Sequence, residues 1–183
     1  MNKNTVMRII FGALSIFCMV AIFMFSAQNA GKSEKTSGFV TKTIAKAVIK
    51  DYEKLPKQQQ KSKIDELQPY IRKTAHFSIY AFLGFSFFLF LSTFNLTKKK
   101  ILIFTLLATL VYAASDEIHQ LFSDGRAFMV TDICLDEAGS FCGVLVAMLA
   151  QLLIFRNKAS LSEENKQKKL KIKNFEKTID KSV

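Results

Sequence analysis

The stretch "ILIFTLLATLVYAASDEIHQLFSDGR", residues 101–126, decides the fold. Its first half is an apolar run without a charge. Its second half brings Asp116, Glu117 and His119 together where a membrane helix would be ending. A helix rises about 1.5 Å per residue, so crossing the hydrocarbon layer takes about 20 residues. Residues 101–121 meet that length, and so do three more apolar blocks at 9–27, 74–94 and 132–155. None alternates as a barrel strand does, and only helices or closed barrels satisfy the backbone in lipid. The expectation is an all-α polytopic membrane protein, a four-transmembrane-helix bundle. A cleaved signal peptide is the competing reading of the first block, with Lys3 and Arg8 before it and Ala27-Gln28-Asn29-Ala30 after it. Its apolar run exceeds a usual signal core, which favours a retained span.

Half of the 183 residues are apolar, with 18 Phe and no Trp, and the length fits one domain. Residues 1–155 are expected to form the four-span domain and 156–183 a basic tail. In a four-span chain the N-terminus, the 95–100 loop and the C-terminus share a side. Lys3 and Arg8, then Lys98, Lys99 and Lys100, then Arg156 and Lys158 make all three basic. That side is therefore expected to be the cytoplasm of a multi-pass cell-membrane protein. Residues 28–70 are then extracytoplasmic. The 28–73 segment also holds eleven Lys and Arg against five acids, but long segments weigh less than short loops.

The net charge of +11 divides between that outer segment and the tail, so it is no nucleic-acid signal. Membrane lipids are the expected partners. Val40, Ile44, Ala47 and Val48 share a helical face, Pro56 interrupts the pattern, and "SKIDELQPYIRK" leads into span two. These predict extracytoplasmic amphipathic helices, lying on the outer leaflet or capping the bundle. The tail carries a capping-like Ser160-x-x-Glu163, and its basic run suits an anionic leaflet or a solvated helix. Cys18, Cys134 and Cys142 lie in apolar runs without metal spacing and are read as packing residues.

Ionisable groups inside a span cost about 2.5–3.5 kcal/mol on insertion scales, so each needs a reason. Arg72, His76 and Tyr80 follow one another at four-residue spacing and line one face of span two, with Lys73 beside them. Span three ends in Ser115, Asp116, Glu117, His119 and Gln120. Span four begins with Asp132, Asp136 and Glu137, and Asp132, Asp136, Gly139 and Gly143 form one stripe. Arg126 sits between the two spans. The opposite halves of these spans, 87–91, 101–110 and 144–149, read as apolar. The expectation is a polar cluster at the outer interface in which Arg72, Lys73, His76 and Arg126 meet Asp116, Glu117, Asp132, Asp136 and Glu137. Gly84, Gly139 and Gly143 would let the helices approach around it.

Three ordered motifs carry a family resemblance. They are Arg72-Lys73-Thr74-Ala75-His76-Phe77 with Tyr80, Leu83 and Gly84; Ser115-Asp116-Glu117 with Gln120, Phe122, Gly125 and Arg126; and Asp132, Asp136, Gly139 and Gly143. Together, over about residues 71–145, they resemble the VanZ-like family, named for a protein linked to teicoplanin resistance. Ser26-x-Gln28 is a fainter echo. Ile79 stands where many relatives carry Glu, and Asp136 where many carry Asn. The resemblance implies a membrane location and a link to glycopeptide resistance. It supplies no reaction.

Plain structural roles compete at each position. His76 can be a hydrogen-bonded core histidine, and Arg72 and Lys73 can snorkel to headgroups. Asp132 can cap span four, and Glu137 and His119 can face the headgroups. Intramembrane ionisable groups more often mark function, which favours a site. The first functional reading is a protein that binds or shields a membrane lipid, a lipid-linked cell-wall precursor or a lipoglycopeptide. The second is a membrane enzyme with His76, Asp116 and Glu117 as catalytic candidates. The third is a small transporter. A metal held by His76, Asp116, Glu117 and Asp132 is conceivable, but no metal-ligand spacing supports it, so no metal or cofactor is expected.

Overall fold

The computed structural model describes residues 2–26, 30–122 and 128–179. They form α1 (Lys3–Ser26), α2 (Ala30–Val48), a 3-10 turn (Tyr52–Lys54), α3 (Lys57–Leu91), α4 (Lys98–Gln120) and α5 (Val130–Ile179). Among the described residues there is no strand. Four helices, α1, α3, α4 and α5 over Val130–Gln167, are long and apolar enough to cross a membrane. The all-α, four-span expectation is the architecture found. Met1–Leu145 and Val146–Val183 are separate compact units, and every candidate site residue falls in the first.

This unit is turned inside out relative to a protein built for water. Phe17, Val20, Phe23 and Met24 on α1, and Phe104, Leu107 and Val111 on α4, all face outward. The buried positions include Ser15, Cys18 and Ser26 on α1, Ser86 on α3, and Thr105, Thr109 and Ala113 on α4. Lipid tails are as apolar as Leu, so small and weakly polar residues provide the contact between helices. Their hydroxyls cross-link the bundle. Ser15 Oγ donates to Ser86 Oγ at 3.2 Å, Ser140 Oγ to Thr109 Oγ1 at 2.9 Å, and the Tyr112 hydroxyl to the Met19 carbonyl at 2.6 Å. Cys18, Ile22, Tyr80, Leu83 and Ala113 form the core between α1, α3 and α4. All three cysteines are free, with Cys18 buried in that core and Cys134 and Cys142 exposed.

One end of the unit is fixed by Arg8. Its guanidinium donates to Thr93 Oγ1 at 3.2 Å and to the Thr93 carbonyl at 3.1 Å, and lies 4.0 Å from the Phe94 ring centroid. The start of α1 therefore meets the α3–α4 turn, as a four-span topology requires. Thr97 caps α4 there, accepting the Lys100 amide.

At the other end the chain differs from the sequence reading in detail. The segment leading into span two is not a separate helix: α3 has 35 residues, about 52 Å, against roughly 30 Å of hydrocarbon. Pro56 ends the preceding turn and stands at the head of α3. Pro69 lies within α3 and cannot donate to the Asp65 carbonyl. On α2, Thr41 and Ala45 are buried, whereas Val40, Ile44 and Val48 point away from the protein. Between α2 and α3, Asp51 takes a left-handed φ of 58°, which short polar side chains tolerate. Lys46 reaches across the turn to Glu53 at 2.7 Å, and that shared hydrogen bond holds the Glu53 carboxyl below its ordinary range. Asp132 is not a cap: α5 starts at Val130, and Asp132 lies in its first turn. In the second unit, Ser160 lies inside α5 instead of opening a new helix.

Candidate functional site

A cavity of about 340 Å³ lies at the end of the unit opposite Arg8, where α3, the end of α4 and the start of α5 converge. From α3, Asp65, Arg72 and His76 reach its wall. They are seven and four residues apart, so they share a helical face. Glu117 and Gln120 close it from α4. Asp132 and Asp136 close it from α5, beside Met129 and Leu135.

Each charge has a traceable position. Lys73 Nζ lies 2.7 Å from Asp132 Oδ1 and joins α3 to α5. Glu117 accepts the Met129 amide at 2.9 Å, tying the end of α4 to the entry of α5. Gln120 Nε2 donates to Asp116 Oδ2 at 3.1 Å, one turn apart on α4. His76 Nδ1 faces Asp136 Oδ1 at 3.8 Å, too far for a hydrogen bond. Arg72 lines the cavity but forms no ion pair among the described residues. The sequence placed Arg72 in a pair with an acid of span three or four. A helix turns about 100° per residue, and that single step gives the pairing to Lys73 and leaves Arg72 on the cavity wall.

The remaining candidates divide. Tyr80 is fully buried one turn beyond His76, with its ring 6.4 Å from that of Tyr112. Ser115 is exposed and donates back to the Tyr112 carbonyl at 2.8 Å, so it takes no part in the cavity. Arg126 and Gln28 lie outside the described residues. His119 does not face the headgroups; it stacks on Phe23 with centroids 4.5 Å apart. The glycines lie at the α3–α5 contact. A Cβ on Gly84 would strike the Ser140 carbonyl, one on Gly139 the Phe77 carbonyl, and one on Gly143 the Ala81 carbonyl.

Some lining residues were missed. Asp65, Gln68 and Met129 line the cavity. Asp65 was legible, being seven residues before Arg72 on the same face. The polar network also extends into segments read as apolar. Thr109 Oγ1 donates to Glu137 Oε2 at 3.0 Å, so Glu137 points inward and not to the headgroups. Ile101, Thr105, Thr109 and Ala113, four residues apart, form one buried face of α4. Among the described residues, His76, Asp116 and Asp136 could hold a metal, each offering one ligand atom within 4.8 Å of the others.

A family model described as VanZ/LLP1 matches residues 11–155, most of the chain. No curated protein and no solved structure matches.

Proposed function

The chain belongs to the VanZ/LLP1 family, and from that premise we propose that its cavity binds the phosphate-bearing headgroup of a membrane lipid or lipid-linked cell-wall precursor. The cavity is assigned to the extracytoplasmic face, because the opposite end carries Lys98, Lys99 and Lys100 in the first turn of α4, beside the short α3–α4 connection. The observation that supports ligand binding is Arg72, a guanidinium on the wall of a 340 Å³ cavity with no ion-pair partner among the described residues. An always-charged planar fork of donors suits a phosphate, which it can hold by two parallel hydrogen bonds. Lys73, held by Asp132, adds a second cation at the same depth. Asp65 and Glu117 give the cavity acceptors for ammonium or hydroxyl groups on the same ligand. Sequestering such a headgroup would shield it from a lipoglycopeptide, which connects the site to the teicoplanin-type resistance that the family resemblance implies.

Drug susceptibility of a sensitised host tests this. Wild-type protein should raise tolerance to a lipoglycopeptide, and Arg72→Ala at equal membrane abundance should abolish the gain. Full tolerance with Arg72→Ala would reject the reading.

A catalytic role has one specific observation in its favour: His76 reaches the cavity wall with Asp136 behind it. An imidazole on the wall of a polar cavity can serve as a general base, and Asp136 would orient it once the 3.8 Å between them closed to hydrogen-bond distance. Gln keeps a donor and an acceptor but does not titrate near neutral pH. General acid–base groups contribute about 10²–10⁴-fold, so His76→Gln would leave almost no function if the imidazole moves a proton. Retained function would leave ligand binding alone.

A further inference from the structure

The buried charges of the first unit do not balance. Asp116, Glu117 and Asp136 are 4 %, 2 % and 1 % exposed, and no Lys or Arg is buried among the described residues. Burying a carboxylate without a compensating charge is strongly unfavourable. Two of the three have hydrogen-bond donors: the Met129 amide for Glu117 and the Gln120 amide group for Asp116. Asp136 Oδ1 has none, although it is fully enclosed. The Tyr80 hydroxyl, one helical turn from His76, is also enclosed and without a partner. Orphaned buried polar atoms are rare and call for an occupant. Asp136 is itself one of the trio His76, Asp116 and Asp136, whose ligand atoms lie within 4.8 Å of one another, and Tyr80 lies one turn beyond His76.

We propose that His76, Asp116 and Asp136 form a binding site for a divalent transition-metal cation of the Zn²⁺ type. One imidazole nitrogen and two carboxylate oxygens suit such an ion. Tetrahedral ligands about 2.0–2.2 Å from zinc lie about 3.3–3.6 Å from one another, so binding would draw the farthest of the three atoms, now within 4.8 Å, together by roughly 1 Å. His76 and Asp136 belong to the cavity wall, and Asp116 lies behind it. The ion therefore sits at the inner wall of the cavity, with an open coordination position on that side. Its two positive charges offset the buried carboxylates. Gln120 then orients Asp116 from outside the coordination sphere, a common role for a hydrogen bond to a metal ligand. The proposal does not depend on which ligand fills the cavity.

The test uses full-length protein in detergent at neutral pH, stripped with a chelator and titrated with Co²⁺ as an optical probe. Wild type should bind one equivalent saturably, with visible absorption bands that added Zn²⁺ abolishes. His76→Ala and Asp136→Asn should each weaken binding at least tenfold, while His119→Gln, which alters the other histidine, should bind as wild type does. If either site variant unfolds, nuclear magnetic resonance of the wild type with diamagnetic Zn²⁺ decides: Zn²⁺ should shift the His76 ring signals well beyond those of His119. No saturable binding by wild type would overturn the proposal, leaving a proton or an ordered water on Asp136. So would equal affinity in Asp136→Asn, equal weakening by His119→Gln, or equal Zn²⁺-induced shifts of both histidines, each marking an adventitious ion.

Discussion

Gly143 on α5 packs directly on the Ala81 carbonyl of α3, with no room for a side chain between the two backbones. The partner of this contact is main chain, which cannot rotate away. Gly143→Ala should therefore destabilise the protein by about 1–3 kcal/mol or more, the range for overpacking. Gly38 provides the contrast. It also lies in a helix, but a Cβ there meets nothing within 4 Å. Gly38→Ala should be neutral or stabilising by about 0.5–1 kcal/mol, because it removes backbone freedom from the unfolded chain. Thermal unfolding of both variants in one detergent checks the pair. Equal stability would contradict the close α3–α5 approach.

Lys73 and Asp132 join α3 to α5 at 2.7 Å while both are partly exposed. Such pairs contribute about 0.2–1 kcal/mol. A double-mutant cycle with Lys73→Met and Asp132→Asn should give a coupling energy in that range, weaker at high salt. Coupling indistinguishable from zero at low salt would show that the pair does not hold the helices together.

Glu117 accepts the Met129 amide, and Gln can do the same through its carbonyl oxygen. Glu117→Gln should therefore unfold close to wild type. Glu117→Ala removes a hydrogen bond to a charged group, worth about 1.5–3 kcal/mol, and should melt lower. The reverse order would show that the carboxylate is not what ties α4 to the start of α5.

Most of the fold was legible, because lipid imposes length and apolarity on each span. The 101–121 and 9–27 blocks correspond closely to α4 and α1. Span two was harder to bound. Its polar first turns carry no break strong enough to separate them from the span, since Pro69 is tolerated within α3. The site residues of α3, α4 and α5 were legible as a set, because charges in apolar helices need partners. Their pairing was not. Arg72 and Lys73 are adjacent in sequence, and only the relative rotation of α3 and α5 assigns Asp132 to Lys73. Thr109 and Ser140 were read as part of apolar runs, yet they support Glu137 well inside α4 and α5. A hydroxyl can satisfy its own helix, as Thr105 does through the Ile101 carbonyl, so sequence gives little sign when one reaches across.

Topology has a direct check. In a cysteine-free background, Lys99→Cys in the first turn of α4 should resist an impermeant thiol reagent in intact cells and react after permeabilisation. Tyr70→Cys, exposed on α3 near the cavity, should react in intact cells. The opposite pattern would place the cavity on the cytoplasmic face.

The central claim is that Arg72 holds a phosphate-bearing headgroup, and binding to the purified protein tests it most directly. Wild type and Arg72→Ala would be titrated with an anionic phospholipid, a zwitterionic phospholipid and a polyprenyl-diphosphate-linked cell-wall precursor. Native mass spectrometry would read occupancy. A hydrogen bond to a charged group is worth about 1.5–3 kcal/mol, so Arg72→Ala should weaken the preferred ligand by roughly ten- to a hundredfold. The ligand most affected identifies the source of the phosphate, and Arg72→Lys should recover only part of the affinity, because a point charge replaces a bidentate fork. Equal binding of all three ligands by wild type and Arg72→Ala would contradict the account.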